Sequence, residues 1–159
     1  MIISERPNSL ITLVEDKGQK IAMKVISPSE WMTISLLEQS YKNVMDIQCP
    51  YMVKVLEVVK RYETITVKME YLEGYTRMEY DDNEACETVL DICQHLADLG
   101  YVWLDASPIN LLEKDGDIKM VDLDTIVKIE DLPKKLEEPN LLLTWYASRI
   151  IKLMSNGER

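Results

Sequence analysis

Residues 101–126 combine short apolar runs with polar connections, and this pattern restricts the fold more than any other part of the chain. Asp105 and Asn110 stand in the first connection, and Asp122 follows the last run directly. The Asp-Gly pair at positions 115–116 lies between two of the runs and predicts a tight β-hairpin. We expect the hairpin to gather the three polar side chains at the strand ends. Oxygen-rich side chains grouped in this way suit one Mg²⁺ ion and the hydroxyl that attacks a phosphate.

The first seventy residues predict a small antiparallel sheet with one helix. Ser27 is suited to cap that helix, Pro28 to stand in its first turn and Glu30 to complete a capping box, so the helix is predicted over 27–46. The strands are short β-rich runs bounded by turn residues. They are predicted over 9–14, 20–26, 52–59 and 64–69.

The second half predicts two further helices, one on each side of the hairpin. Apolar residues recur at helical spacing over 84–99, and Gly100 is placed to end that helix. A final helix is predicted over 141–154, where apolar residues lie on nearly all sides. A small sheet with one helix, followed by a mainly helical part, indicates an α+β protein.

The composition restricts partners and compartment. The 159 residues carry a formal net charge of −10 and their lysines are scattered, which argues against binding to nucleic acid. No apolar run reaches the roughly 18 residues of a membrane span, so no membrane association is expected. The three cysteines, Cys49, Cys86 and Cys93, and the single His95 lack the spacing of a zinc site. We therefore expect reduced thiols in a cytoplasmic protein.

Two further motifs lie outside residues 101–126 and bear on the same site. The string Ile21-Ala22-Met23-Lys24 resembles the third strand of protein kinases, and residues 68–74 resemble their gatekeeper and hinge. Asp105 resembles the catalytic-loop aspartate, and Asn110 and Asp122 resemble the two metal ligands. These matches occur in the order that the family has. The chain thus resembles a minimal, divergent member of the protein-kinase-like superfamily.

The resemblance implies a Mg-ATP site. Lys24 would hold the α- and β-phosphates, and Glu38 on the following helix would pair with Lys24. Asp105 would accept the proton of the substrate hydroxyl, while Asn110 and Asp122 would hold Mg²⁺. The remaining implied contacts are to adenine, from the hinge backbone at Glu70 and Leu72 and from the side chains of Ala22 and Leu112.

The same resemblance implies a two-lobed fold. Residues 1–72 would form an N-lobe of sheet and helix, with the hinge at its end. Residues 73–159 would form a reduced, mainly helical C-lobe that carries the catalytic and metal-binding loops. Because a lobe of that size would leave apolar surface to be covered, we expect a protein partner or self-association besides the nucleotide.

Several departures from the family pattern bear on activity. No glycine-rich loop precedes Lys24, since Gly18 stands in a short turn. Ser107 occupies the position of a common catalytic lysine, and Asp124 replaces the glycine of the metal-binding loop. The stretch after Asp122 is also short for an activation segment and substrate-docking helices. Two functions therefore stay open: transfer of the γ-phosphate of Mg-ATP to a Ser/Thr or other hydroxyl, or a catalytically inactive pseudokinase that binds nucleotide or a partner protein.

Asp122 and Asp124 also admit a rival interpretation. An apolar strand followed by Asp-Leu-Asp-Thr resembles the nucleophile loop of haloacid-dehalogenase-type phosphatases. Those enzymes need a long parallel-sheet body after the loop, and the residues that follow are too few to supply it. We therefore favour the kinase-like interpretation.

Overall fold

The computed structural model describes residues 1–29, 32–78 and 83–131. The first part of the chain forms β1 (Ile2–Arg6), β2 (Ser9–Asp16), β3 (Gln19–Ile26), α1 (Ile34–Asp46), β4 (Val55–Arg61) and β5 (Thr64–Glu70). Its five strands make one antiparallel sheet in the order β1-β2-β3-β5-β4. Helix α1 contacts β4 and β5 of this sheet.

The second part is built from one helix and short strands. Its elements are β6 (Thr76–Arg77), α2 (Asn83–Asp98), β7 (Tyr101–Trp103), β8 (Leu111–Lys114), β9 (Asp117–Met120) and β10 (Ile126–Lys128), with single 3-10 turns at Pro108–Asn110 and Ile129–Asp131. Strands β6, β8 and β9 form a three-stranded antiparallel sheet, and β7 pairs with β10.

The predicted fold class, an α+β protein-kinase-like two-lobed fold with a mainly helical C-lobe, is wrong. The described residues are 42% strand and 27% helix, with only two α-helices and a small open sheet that is mostly antiparallel. The apolar runs after α2 are only three or four residues long, so they satisfy their backbone groups by pairing as strands. The helix predicted over 141–154 lies outside the described residues.

Two tight hairpins fix the registers of the sheets. Lys17 and Gly18 join β2 to β3 with φ angles of 51° and 79°. Asp115 and Gly116 join β8 to β9 with φ angles of 51° and 83°, so the predicted Asp-Gly hairpin is confirmed. Positive φ at both central residues matches the right-handed twist of the flanking strands, and it favours glycine or aspartate at these positions.

The start of helix α1 differs from the prediction, whereas its end at Asp46 agrees. Thr33, not Ser27, is the N-cap, because the Thr33 hydroxyl accepts a hydrogen bond from Leu36 N at 3.2 Å. Two competing cap signals stand close together in the sequence, and the later one is used. Glu30, the predicted capping-box partner, lies outside the described residues.

Helix α2 follows the predicted apolar spacing. Ala85, Val89, Ile92 and Leu96 are fully buried, and Gly100, with a φ angle of 87°, follows the helix end as predicted. These side chains belong to one core that is continuous with the face of α1. Within the residues described, no helix is both long and apolar enough to cross a membrane.

The two parts of the chain meet at the segment before β4. Met120 N donates to Tyr51 O at 2.7 Å, and Val53 N donates to Met120 O at 3.2 Å. Met52 lies between these bonds and forms an isolated parallel bridge with Met120. The end of β9 is thereby fixed against the base of the first sheet. This junction sets the position of the loop that follows β9, which contains Asp122 and Asp124.

Candidate functional site

A cleft of about 450 Å³ opens between the first sheet and the loop after β9. One wall comes from the face of β1, β2, β3 and β5. The opposite wall comes from β6, β8 and the loops around them. The lining contains seven of the residues that the sequence assigns to a site: Ala22, Lys24, Glu70, Leu72, Asn110, Leu112 and Asp122.

Strand register explains why Lys24 stands in this cleft. Lys24 on β3 is opposite Ile11 on β2 and Val67 on β5. Directly paired residues of neighbouring strands share a face, and so do residues two apart along a strand. Ala22 is therefore on the same face as Lys24, beside Ile11, and both apolar side chains line the cleft. The lysine stands in an apolar wall, where a charge needs a partner.

Lys24 finds its partners in the loop after β9. Its Nζ lies 3.0 Å from Oδ1 and 3.1 Å from Oδ2 of Asp124, and 3.9 Å from Oδ1 of Asp122. The residue is only 6% exposed. Burial alone would lower the pKa of Lys24, but the charges of Asp124 and Asp122 outweigh burial and raise that pKa above its ordinary value. Lys24 therefore stays protonated and joins β3 to the loop.

Asp124 has a second partner on helix α1. The buried hydroxyl of Tyr41 donates a hydrogen bond to Asp124 Oδ1. Burial raises the pKa of Tyr41 well above its ordinary value, and the nearby Asp124 carboxylate raises it further, so Tyr41 acts only as a donor. From the sequence, Asp124 is only a departure from a family pattern, and its role as the partner of Lys24 and Tyr41 is not predicted. An aspartate two residues after Asp122 was the available signal, but its partners became visible only in the fold.

Helix α1 also holds the backbone of the same loop. Ser40 Oγ donates to Leu123 O at 2.6 Å and accepts from Ile126 N at 2.8 Å. Asn43 Nδ2 donates to Ile126 O at 2.9 Å. Ser40 and Asn43 are both 1% exposed, so these bonds form away from water. One face of α1 thus fixes the loop that carries both aspartates.

The implied pair between Glu38 and Lys24 does not form. Glu38 lies instead 3.2 Å from Lys42 Nζ and 3.7 Å from Lys60 Nζ. Tyr41 and Leu37 face the core. Glu38 follows Leu37 directly, so the helical rotation turns it toward the edge of the helix. Asp124 takes the place that the resemblance gave to Glu38.

The pKa of the Asp122 carboxyl is raised by its surroundings. Burial raises its pKa to about 6, and the charges of Asp124 and Asp105 add to this effect while Lys24 opposes it. Its own backbone oxygen accepts from Trp103 Nε1 at 3.2 Å. Two neighbouring carboxylates therefore act on Asp122, and Lys24 is the ammonium group that opposes them. The site has an excess of negative charge that a cation would relieve.

Asp105 and Asn110 are brought together by the turn that connects β7 to β8. Asn110 Nδ2 donates to Asp105 O at 3.2 Å and to Asp105 Oδ2 at 3.3 Å. Asp105 N donates to Thr125 Oγ1 at 3.0 Å, and Asn110 O accepts from Val121 N at 3.0 Å. The side-chain bonds of Asn110 use its amide nitrogen and not its Oδ1. Asn110 lines the cleft, and Asp105 is its hydrogen-bonded neighbour.

The hinge-like segment closes one end of the cleft. Glu70 N donates to Lys54 O at 2.9 Å, and Glu70 Oε1 accepts from Lys54 N at 2.8 Å. The amide of Glu70 is therefore already used, and an adenine contact at this residue has to use its carbonyl. Leu72 and Leu112 line the cleft from the hinge and from β8, while Ala22 lines it from β3. An aromatic base fits between such apolar surfaces.

Four polar residues of β1, β2 and β6 line the cleft and are not predicted from the sequence. Ser4 and Arg6 of β1, Ser9 of β2 and Arg77 of β6 all line the cleft. Strand β1 is not predicted, because a five-residue run that ends in Glu-Arg carries a weak strand pattern. The Pro7-Asn8 pair is the available signal, since these two turn residues separate the run from the next strand.

The donor set fits Mg²⁺ only in combination with a ligand. Within residues 1–29, 32–78 and 83–131, no group of three or more His, Cys, Asp or Glu stands close enough to hold a metal ion. Mg²⁺ commonly uses one or two protein carboxylates and completes its shell with phosphate oxygens and water. Asp122, with the Oδ1 of Asn110, would supply such a partial shell.

Comparisons with known proteins add no family to this picture. No protein-family model matches the sequence, and no curated protein matches it. The similarity to protein kinases therefore depends only on the motif residues named above.

Proposed function

We propose that this cleft binds Mg-ATP. The observation that carries the proposal is the arrangement around Lys24, a buried ammonium group whose counterions Asp124 and Asp122 stand beside Asn110 in the cleft. A triphosphate would supply negative charge for the ammonium group, and Mg²⁺ would supply positive charge for the carboxylates. The phosphates would contact Lys24, and the metal would relieve the crowding of the carboxylates.

Each of the seven lining residues that the sequence assigns to a site has a role in this proposal. Lys24 holds the inner phosphates, and Asp122 and Asn110 hold the metal. Bound Mg²⁺ supplies positive charge that offsets the phosphate oxygens. Ala22 and Leu112 enclose the base. The hinge presents backbone groups to its edge at Glu70 and Leu72.

We propose further that the γ-phosphate passes to a hydroxyl acceptor. Asp105, which accepts a hydrogen bond from Asn110 Nδ2 next to the metal site, would orient the acceptor and take its proton. The acceptor oxygen forms the new bond to the γ-phosphorus, and the bond from that phosphorus to the β-bridging oxygen breaks. Positioning and charge stabilisation would supply most of the rate.

Calorimetric titration with ATP, with and without Mg²⁺, tests the binding proposal. We expect wild type to bind ATP in a Mg²⁺-dependent way, and Lys24→Met and Asp122→Asn to weaken binding by about tenfold or more, because each removes a charged contact. Lys68→Met is the matched control, since Lys68 is a lysine of β5 that pairs with Glu57 and does not line the cleft. Circular dichroism shows whether each variant is folded. A folded wild type without Mg²⁺-dependent binding at millimolar ATP would refute the proposal.

The second candidate is a nucleotide-binding module that does not transfer phosphate. The connections from β1 to β2 and from β2 to β3 contain only two residues each, so neither forms a glycine-rich loop over the phosphates. Lys24 is also held by Asp124 rather than by Glu38. Incubation with γ-labelled ATP and a mixture of hydroxyl acceptors separates the two functions. Label transfer by wild type and its loss in Asp105→Asn, with ATP binding retained, supports the enzyme; binding without transfer supports the module.

A further inference from the structure

Two arginines stand in the cleft of an acidic chain. The net charge is −10, and Lys20, Lys42, Lys60 and Lys68 each pair with a carboxylate. Arg6 and Arg77 both line the cleft, yet within the described part of the chain neither forms an ion pair. These guanidinium groups are therefore available to an anionic ligand. Their positions in the cleft decide which part of the ligand each one meets.

Strand register places Arg6 on the same face as Lys24. Ser4 on β1 is opposite Ile11 on β2, and Ile11 is opposite Lys24 on β3. Arg6 stands two residues after Ser4, so it shares the cleft face. Strands β1 and β3 are separated by two strand spacings, or about 10 Å, a distance that two long cationic side chains can close over one ligand. The charge of Arg6 is also felt by Lys24, since it acts to lower the pKa of the lysine.

The turn after Arg6 holds the end of β1 in place. Only Pro7 and Asn8 connect β1 to β2, and Asn8 O accepts a hydrogen bond from Ser27 N at 2.9 Å. A connection this short offers no run of free backbone amides to a phosphate. The positive group at this end of the cleft is the side chain of Arg6. It is exposed at the mouth, whereas Lys24 is buried.

We propose that Arg6 binds the terminal phosphate of the nucleotide, so that the cleft prefers nucleoside triphosphates to diphosphates. This inference rests on the proposed function. Lys24 meets the inner phosphates in the depth of the cleft, and Arg6 meets the outermost phosphate at its mouth. The guanidinium plane matches two phosphate oxygens at once. Arg77 is directly opposite Leu112, the residue assigned to the base, and so lies at the other end of the ligand.

Affinity ratios test this inference. Dissociation constants for Mg-ATP, Mg-ADP and AMP are measured by calorimetry for wild type, Arg6→Gln, Arg6→Lys and Arg77→Gln. Arg61→Gln is the matched control, since Arg61 ends β4 and does not line the cleft. We expect wild type to bind ATP about tenfold more tightly than ADP, and Arg6→Gln to bring the two affinities within about twofold of each other. Arg6→Lys keeps part of the preference for ATP, because lysine retains the positive charge but lacks the planar guanidinium group that donates two parallel hydrogen bonds.

The outcomes separate this inference from the function on which it rests. A folded wild type that binds neither ATP nor ADP overturns both. Binding of both nucleotides with the same ratio in wild type and in Arg6→Gln overturns the role of Arg6 alone. A preference for ATP that is lost in Arg77→Gln, and kept in Arg6→Gln, also overturns it. Because Arg6 is exposed, its substitution removes no buried contact, and circular dichroism confirms folding of each variant.

Discussion

The contact of Lys24 with Asp124 leads to a stability prediction that can be tested without a ligand. In Asp124→Asn, Lys24 keeps only Asp122, at 3.9 Å, as a charged partner. Removal of one partner of a buried ion pair costs about 3–5 kcal/mol. The side chain of Asp124 is 21% exposed, and Asp122 remains near the ammonium, so both features reduce the loss. We therefore expect Asp124→Asn to lower the free energy of unfolding by about 2–3 kcal/mol.

Urea denaturation followed by circular dichroism measures this loss. Glu57→Gln is the control, because it removes a 2.8 Å contact to Lys68 at the exposed surface and should cost less than about 1 kcal/mol. The double variant Lys24→Met/Asp124→Asn should recover most of the stability, since no unpaired ammonium stays buried. The reasoning is refuted if Asp124→Asn costs no more than the control, or if the double variant is less stable than Asp124→Asn alone.

The remaining predictions concern pH and the start of α1. Since burial raises the pKa of Asp122 to about 6, the folded state binds an extra proton between about pH 4 and 6, and the contribution of this group to stability falls as pH rises through that window. Urea denaturation should therefore show Asp122→Asn gaining about 2 kcal/mol of unfolding free energy on wild type between pH 4.5 and 7.5, while exposed Asp91→Asn shows no such gain. An equal difference at both pH values contradicts the assignment. Thr33→Ala should cost about 1 kcal/mol of unfolding free energy and Ser27→Ala less than about 0.5 kcal/mol, and the reverse order would favour the helix start predicted from sequence.

Local signals in the sequence predicted the hairpins and helix α2. Gly18 in one turn and the Asp115-Gly116 pair in the other tolerate positive φ, and the buried positions of α2 recur at helical spacing. These features depend on neighbours in the chain. They could be predicted because the physical cause and the residues that reveal it lie within a few positions of each other.

The failures involve contacts between distant parts of the chain. Asp124 meets Lys24, one hundred residues earlier, and Tyr41, eighty-three residues earlier, and no local pattern reports either contact. The implied role of Glu38 failed because its position around α1 depends on which face packs against the sheet. The prediction of a mainly helical second part failed because short apolar runs are ambiguous until their strand partners are known. The grouping of Lys24 with Asp122 followed only from the family resemblance.

The bonds between α1 and the loop after β9 have a consequence for cooperativity. Ser40 and Asn43 bind the loop backbone between and after the two aspartates, at Leu123 and Ile126. Helix α1 cannot separate from this loop without exposing several buried polar groups together, and each such group costs about 1–3 kcal/mol when it loses its partner. The first sheet and the β7–β10 pair therefore open as one unit rather than as independent halves. Any ligand that tightens the loop is expected to slow the opening of α1 to the same extent.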